Sequence, residues 1–324
     1  MVRSRVYRQG AVEAWDVEVE AVSEHLAHDG CVVWIDLVGD EIDRCLDVLA
    51  DELGLHELAV EDALDPHHRP QLGHFIDHLL LTCPAARIDV GSGDLQVLPM
   101  TAFIGDRWLI TVHPDGAGII DRMLERWDAS PELAVHGVSF LVYGLLDVVV
   151  DSYFDTVSAF DDFYDEISDA IFAERPIDPD RQAHWFQMRR ALFRFHRIAV
   201  PMREAVSSLM RRERGSVAEE LYPYYQDVYD HVLRVSEATD GLRDLVATIV
   251  ETNLSLRDYR QNQIMKKVTS WAAIIAVPTL VTGYYGMNVP YPGFAHRAGM
   301  WWATGLIVVL SAALYTTFRR NDWL

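Results

Sequence analysis

Lys266-Lys267-Val268-Thr269-Ser270-Trp271-Ala272-Ala273-Ile274-Ile275-Ala276-Val277-Pro278-Thr279-Leu280-Val281-Thr282-Gly283-Tyr284-Tyr285-Gly286-Met287-Asn288 opens with two lysines, continues without a charge and ends on Gly-Met-Asn. The 18 residues from Val268 to Tyr285 fall within the roughly 17–25 needed to cross a hydrocarbon core. Toward the C-terminus, residues 298–318 supply a second uncharged run of 21, closed by Arg319 and Arg320. Positions 268–318 hold one arginine and no Asp, Glu or Lys, whereas 1–267 mix charged and apolar residues as a water-soluble domain does. The pattern predicts two membrane spans, 268–288 and 298–318, joined by an external loop at 289–297. Basic residues gather on the cytoplasmic side of spans, so Lys266, Lys267, Arg319 and Arg320 put both termini in the cytoplasm. The opening MVRSRVYRQG has no apolar signal-peptide core, in keeping with that orientation.

Working outward to the N-terminus, β-rich runs at 31–35, 79–82 and 108–112 alternate with helical patterns at 41–53 and 118–127. Residues 1–130 therefore read as an α/β domain with a mixed sheet. From Leu133 the β signal stops, and two long helices follow at 133–172 and 180–214, parted by Pro176 and Pro179. Together they make a helical pair within 131–215, followed by a long stalk helix at 216–267 and a pore domain at 268–324. The expected class is an α+β membrane protein: a cytoplasmic α/β domain, a stalk helix and two C-terminal transmembrane helices.

The formal charge of −21 argues against nucleic acid as a partner, because phosphate binding relies on clustered Lys and Arg. It suits both solubility and the attraction of cations. Cys31, Cys45 and Cys83 form no Cys-x-x-Cys pair, so neither a disulfide framework nor a zinc knuckle is indicated. No catalytic triad, phosphate loop or metalloprotease motif occurs, and the chain reads as a non-enzyme without an organic cofactor.

Two series share the stalk helix. Val228, Val232, Val235, Thr239, Leu242, Val246, Ile249, Asn253 and Leu256 follow a 4-3-4-3 spacing and describe a packing seam. Further along, Glu251, Ser255, Asp258, Asn262, Met265, Thr269, Ala272, Ala276, Thr279 and Gly283 repeat that spacing with polar or small residues, while Trp271, Ile274, Ile275, Leu280, Val281 and Tyr284 fall at other phases. Small residues on a membrane helix fit close helix packing; they also fit a water-filled path when several copies turn them toward a common axis. Glu251, Asp258 and Asn262 below the membrane and Asn288 above it favour the path, because polar groups aligned through a bilayer mark ion routes. Such a line suits hard cations. Mg²⁺ takes oxygen ligands and sheds its water reluctantly, so a ring of Asn288 amides and Gly286 carbonyls can hold the hydrated ion as a filter. Met265 is a poor Mg²⁺ ligand and reads as an apolar constriction.

Tyr225-Gln226-Asp227-Val228-Tyr229-Asp230-His231, Asn262-Gln263-Ile264-Met265-Lys266-Lys267, Tyr285-Gly286-Met287-Asn288 and Arg319-Arg320-Asn321-Asp322-Trp323-Leu324 resemble the CorA family of divalent-cation channels. His56-Glu57-Leu58-Ala59-Val60-Glu61-Asp62-Ala63-Leu64 with Arg69-Pro70 resembles that family's N-terminal pattern. The resemblance implies a funnel-shaped homopentamer in the cell membrane, its first membrane helix lining the pore and its second facing lipid. It implies Mg²⁺ transport, with Co²⁺ or Ni²⁺ as further cargo. Gly286, Met287 and Asn288 fall on the filter, and Thr279, Met265, Asn262 and Glu251 on pore-facing positions. Asp227 matches a carboxylate of regulatory Mg²⁺ sites between neighbouring subunits, which implies closure when internal Mg²⁺ is plentiful.

Two departures stand out. The loop 289–297 carries no acidic residue and lacks a Met-Pro-Glu-Leu pattern, and Ala276 stands where some members have a large apolar gate residue, moving the expected constriction toward Val268 and Met265. Two other readings stay open. One is a Zn²⁺ transporter of the related ZntB type, for which His67-His68 and the pair His74 and His78 are the nearest histidine clusters. The other is a regulatory protein whose two spans are only an anchor.

Overall fold

Cys31–Val38 becomes the centre of a sheet because it is buried along most of its length, with apolar side chains on both faces. In the computed structural model, which describes residues 2–39, 42–65, 69–114, 118–172, 179–211, 217–287 and 296–324, this strand is β3, preceded by β1 (Val2–Arg8) and β2 (Ala11–Trp15). The later strands are β4 (Gln71–His74), β5 (Leu79–Thr82), β6 (Ala85–Asp89), β7 (Asp94–Leu98), β8 (Thr101–Ile104) and β9 (Trp108–His113). Seven of them form one sheet in the order β2-β1-β3-β9-β8-β5-β4, and β6 with β7 makes a separate hairpin. β3 and β9 run parallel, and the other strand pairs of the large sheet run antiparallel, so the sheet is mixed.

Alternation along β3 sends its residues to two cores. Val33, Ile35 and Leu37 join Leu46 and Leu49 of α2 (Ile42–Leu53), Val22 of α1 (Val22–Leu26) and Ala59 of α3 (Glu57–Leu64). Trp34 and Asp36 take the opposite face, where Trp34 meets Trp127 of α4 (Ile119–Ala129) edge to face at 5.1 Å. Trp127 Nε1 donates to the Leu141 carbonyl at 3.2 Å. Residue 144 is glycine because a Cβ there would come within 2.4 Å of that nitrogen.

Asp36 anchors a buried polar chain beneath the same layer. Trp34 Nε1 donates to Thr111 Oγ1 at 3.1 Å, Thr111 Oγ1 donates to Asp36 Oδ1 at 2.6 Å, and His113 Nε2 lies 3.1 Å from that oxygen. All four side chains are buried. Their register places Asp36 beside Thr111 on the parallel pair.

The expected helix from Leu133 begins later. Pro131–His136 is a 3₁₀ turn ending at Gly137, which has φ 64°, and α5 runs Val138–Phe172. α6 (Pro179–Met210) follows. A further 3₁₀ turn, Glu219–Leu221, leads into α7, Tyr222–Tyr285, and α8 spans Arg297–Arg320. Tyr225 Oη donates to the Ser139 carbonyl at 2.7 Å and Ala218 N–H donates to Ser139 Oγ at 3.0 Å, tying the start of α7 to the start of α5.

The chain divides into two compact units, Met1–Ala247 and Thr248–Leu324. In the first, the seam Val228, Val232, Val235, Thr239, Leu242 and Val246 is buried, so the 4-3-4-3 spacing is a packing surface there. Ile249 is still buried, while Asn253 and Leu256 are half-exposed as the seam ends.

In the second unit the apolar stretches of α7 and α8 are only 11% and 6% buried. A soluble protein's core helix is mostly buried, so exposure together with length and apolar composition marks these as candidate spans. Ser270 and Val281 on α7 and Gly299 on α8 are buried. Lys266, Ala273 and Val277 extend the covered face of α7 at three- and four-residue steps, and Ala303, Ile307, Ser311 and Leu314 do so on α8. Small residues, Ser270 and Ala273 on α7 and Gly299, Ala303 and Ser311 on α8, are among the covered ones. The chain ends with Trp323 stacked on Phe318 at 5.6 Å, its N–H donating to the Phe318 carbonyl at 2.9 Å.

Candidate ion pathway

Every residue of the polar stripe is exposed: Glu251, Ser255, Asp258, Asn262, Met265, Thr269, Ala272, Ala276, Thr279 and Gly283. The covered face of α7 runs instead through Ser270, Ala273, Val277 and Val281. Packing within the unit therefore uses other small residues and leaves the stripe unpartnered. Thr279 Oγ1 donates to the Ile275 carbonyl at 3.1 Å. With its proton held inside the helix, that hydroxyl presents oxygen lone pairs outward, which is the polarity a cation needs. Nothing lies within 4 Å of a Cβ built on Gly283.

α7 stops at Tyr285, three residues short of the expected span end. Gly286 N–H still donates to the Thr282 carbonyl at 2.9 Å and Met287 N–H to the Tyr284 carbonyl at 3.3 Å. A Cβ on Gly286 would sit 3.0 Å from the Thr282 carbonyl oxygen, so a larger residue would strain this closing turn. Gly286 and Met287 are exposed. Asn288 and the loop through residue 295 lie outside the described residues. α8 begins at Arg297 and its last turn holds Arg319 and Arg320, which suit a helix C-terminus.

Asp227 is 63% exposed on α7, with His231 Nε2 3.7 Å from its Oδ1. His231, four residues on and so on the same helix face, packs edge to face on Phe154 at 5.2 Å. The motif reading passes over this neighbour, although its i,i+4 spacing signals the contact. Burial raises the Tyr143 hydroxyl pKa, partly offset by the Arg126 charge, and Asp227 and Asp151 raise it further, so the field of Asp227 reaches α5. Asp89 and Asp94, two further exposed carboxylates, lie on the β6–β7 hairpin. Asp89 closes its own hairpin, its carboxyl pKa lowered first by the Ser92 hydroxyl and then by the Gly91 N–H. Asp94 lies 3.8 Å from Arg194 of α6.

Among the described residues no three His, Cys, Asp or Glu side chains converge on a metal-sized space. His74 lies exposed on β4, while His78 is buried and stacks on Phe75 at 5.1 Å, so its four-residue spacing from His74 falls across a strand turn. His67 and His68 lie outside the described residues. Burial pushes the Cys83 thiol up to about 12, which leaves it an inert core residue.

The family profile described as CorA-like Mg²⁺ transporter protein matches residues 29–320. The chain belongs to the CorA family. A cobalt/magnesium transport protein of Thermotoga maritima is 25% identical over 293 residues, covering 90% of this chain and 83% of the relative. A putative metal ion transporter of Bacillus subtilis is 27% identical, covering 90% of this chain and 89% of its own length. The solved CorA magnesium transporter of Methanocaldococcus jannaschii superposes with a TM-score of 0.81 at 23% identity, over 100% of this chain and 99% of that one. That likeness establishes the fold: an N-terminal α/β domain, a long helix and two C-terminal apolar helices. Within the CorA fold the exposed stripe, the closing turn at Gly286 and the apolar flank of α8 belong to a membrane protein.

Proposed function

We propose that this chain is one subunit of a homopentameric divalent-cation channel that carries Mg²⁺, with Co²⁺ and Ni²⁺ as further cargo, into the cell. The observation that carries the reading is the stripe from Glu251 to Gly283, oxygen-bearing or small apart from Met265 and left open by the face that is covered. Membership of the CorA family and the naming of a relative for cobalt and magnesium transport support the choice of ion. In this reading residues 1–130, 131–215 and 216–267 are cytoplasmic and 268–324 form the pore domain, with both termini inside and 289–297 outside. Trp301, Trp302, Leu306, Val308 and Val309, exposed on α8, face lipid.

Asn288, two residues after Gly286 in the sequence, supplies amide oxygens to the hydrated ion. Thr279 and Asn262 pass it on through oxygen contacts, and Met265 with Val268 narrows the path where no ligand competes for the ion. Glu251 and Asp258 draw the cation toward the cytoplasm. Initial Mg²⁺ and Zn²⁺ flux into liposomes containing the purified chain tests the reading: Mg²⁺ uptake is expected. Absence of any cation flux from correctly assembled protein would leave only the membrane-anchor role, and flux of Zn²⁺ alone would replace the cargo.

Asp227 serves as the intracellular sensor, binding Mg²⁺ between neighbouring subunits and holding the channel shut while the ion is plentiful. Asp227→Asn is expected to leave conduction intact and to raise the internal Mg²⁺ needed for half-block roughly tenfold, the factor equivalent to ~1.4 kcal/mol of lost binding. A block curve that superposes on the wild type removes Asp227 from the sensor.

A further inference from the structure

Between α6 and α7 one ring nitrogen meets two incompatible partners. His196 Nε2 lies 2.9 Å from Asp240 Oδ1 and 2.9 Å from Arg243 Nη1, and Arg243 Nη1 lies 3.4 Å from the same Asp240 oxygen. A carboxylate only accepts and a guanidinium only donates. Carrying a proton, Nε2 donates to Asp240 and turns an N–H on Arg243. Bare, it accepts from Arg243 and has nothing to offer Asp240.

We propose that His196 is a proton-operated clasp that changes its partner on α7. Neutral, with its proton on Nδ1, the ring accepts from Arg243, which also pairs with Asp240 on its own helix. A second proton on Nε2 makes the ring a cation that holds Asp240 and repels Arg243. The grip on α7 thereby moves three residues, about 4.5 Å along the helix axis. Imidazole is the side chain that can present either a lone pair or an N–H at the same ring nitrogen, so gain or loss of that proton selects the partner.

The surroundings suit such an exchange. His196 is 22% exposed and Arg243 36%, so both protons and a displaced guanidinium have access to water. Arg243 is incompletely held: its Nε is buried with no hydrogen-bond partner among the described residues. Its guanidinium lies 5.1 Å over the Phe193 ring, and Arg189 approaches that ring at 5.7 Å. The charged groups facing His196 are thus Asp240 and Arg243 from α7. On α6 the neighbouring cations are Arg189 and, next in sequence, Arg197; Asp244 on α7 has a partner of its own. The inference concerns the first compact unit and stands apart from the transport reading.

Hydrogen exchange of the full-length protein in lipid nanodiscs, corrected for the intrinsic pH dependence of exchange, tests it through peptides covering 193–199 and 240–246. In double-mutant cycles with alanine, His196 and Arg243 are expected to couple by about threefold or more in local opening near pH 7.5 and not near pH 5.5. The His196–Asp240 coupling is expected to follow the reverse order. Couplings that ignore pH overturn the proposal. Should His196→Ala loosen all of α6, His196→Gln keeps the size and polarity without titrating; a pH step that persists in it also overturns the proposal.

Discussion

Asn288→Ala is expected to cut initial Mg²⁺ flux into proteoliposomes by roughly 10²-fold. The side chain follows the turn at which α7 ends, where Gly286 N–H still bonds the Thr282 carbonyl. In the proposed channel a filter there would recognise a hydrated ion by amide oxygens that accept hydrogen bonds from its water shell. In a ring of identical subunits one substitution removes several acceptors together. Each contributes about 0.5–1.5 kcal/mol, so a loss near 3 kcal/mol, or about two decades, is a moderate expectation. Undiminished uptake by a variant that assembles as the wild type does would take the filter away from Asn288.

Asp36→Ala is expected to destabilise the first unit by about 3–5 kcal/mol, the usual cost of removing one partner from a buried charged or hydrogen-bonded pair. Asp36 accepts from the Thr111 hydroxyl at 2.6 Å and faces His113 Nε2 at 3.1 Å. Alanine takes the carboxylate from buried His113 Nε2 and leaves the Thr111 hydroxyl only the longer bond to the Ile35 carbonyl at 3.4 Å, which weakens the support of Trp34 through Thr111. Asp36→Asn keeps an oxygen for Thr111 and is expected to lose less. Thermal or denaturant unfolding followed by tryptophan fluorescence reads the difference, since Trp34 and Trp127 pack at this point. A cost below about 1 kcal/mol for the alanine variant would mean that the network is dispensable.

Helical periodicity made much of the molecule legible. The seam at Val228–Val246 is buried and the stripe at Glu251–Gly283 is exposed, although both obey one spacing, because hydrophobic and polar content separate them locally. Charge-free length announced both apolar helices, and Gly-Met-Asn with its neighbouring motifs announced the family. The helix start at Leu133 was misplaced because apolar periodicity continues through Pro131–His136, where Gly137 in a left-handed conformation sets the true entry to α5.

Local order in the chain determined the class of fold, the seam, the apolar helices and the stripe, since each depends on residues a few positions apart. Tertiary structure alone decided which small residues of α7 are covered and which stay open: Ser270 is buried and its neighbour Thr269 exposed, a difference of helix phase alone. It also joined Asp36 to His113 across 77 positions and His196 to Arg243 across 47. Such contacts leave no periodic trace in the sequence, because strand pairing and helix docking, not local spacing, bring the partners together; the Asp36 pair, buried among packed layers, also depends on the exclusion of water around it.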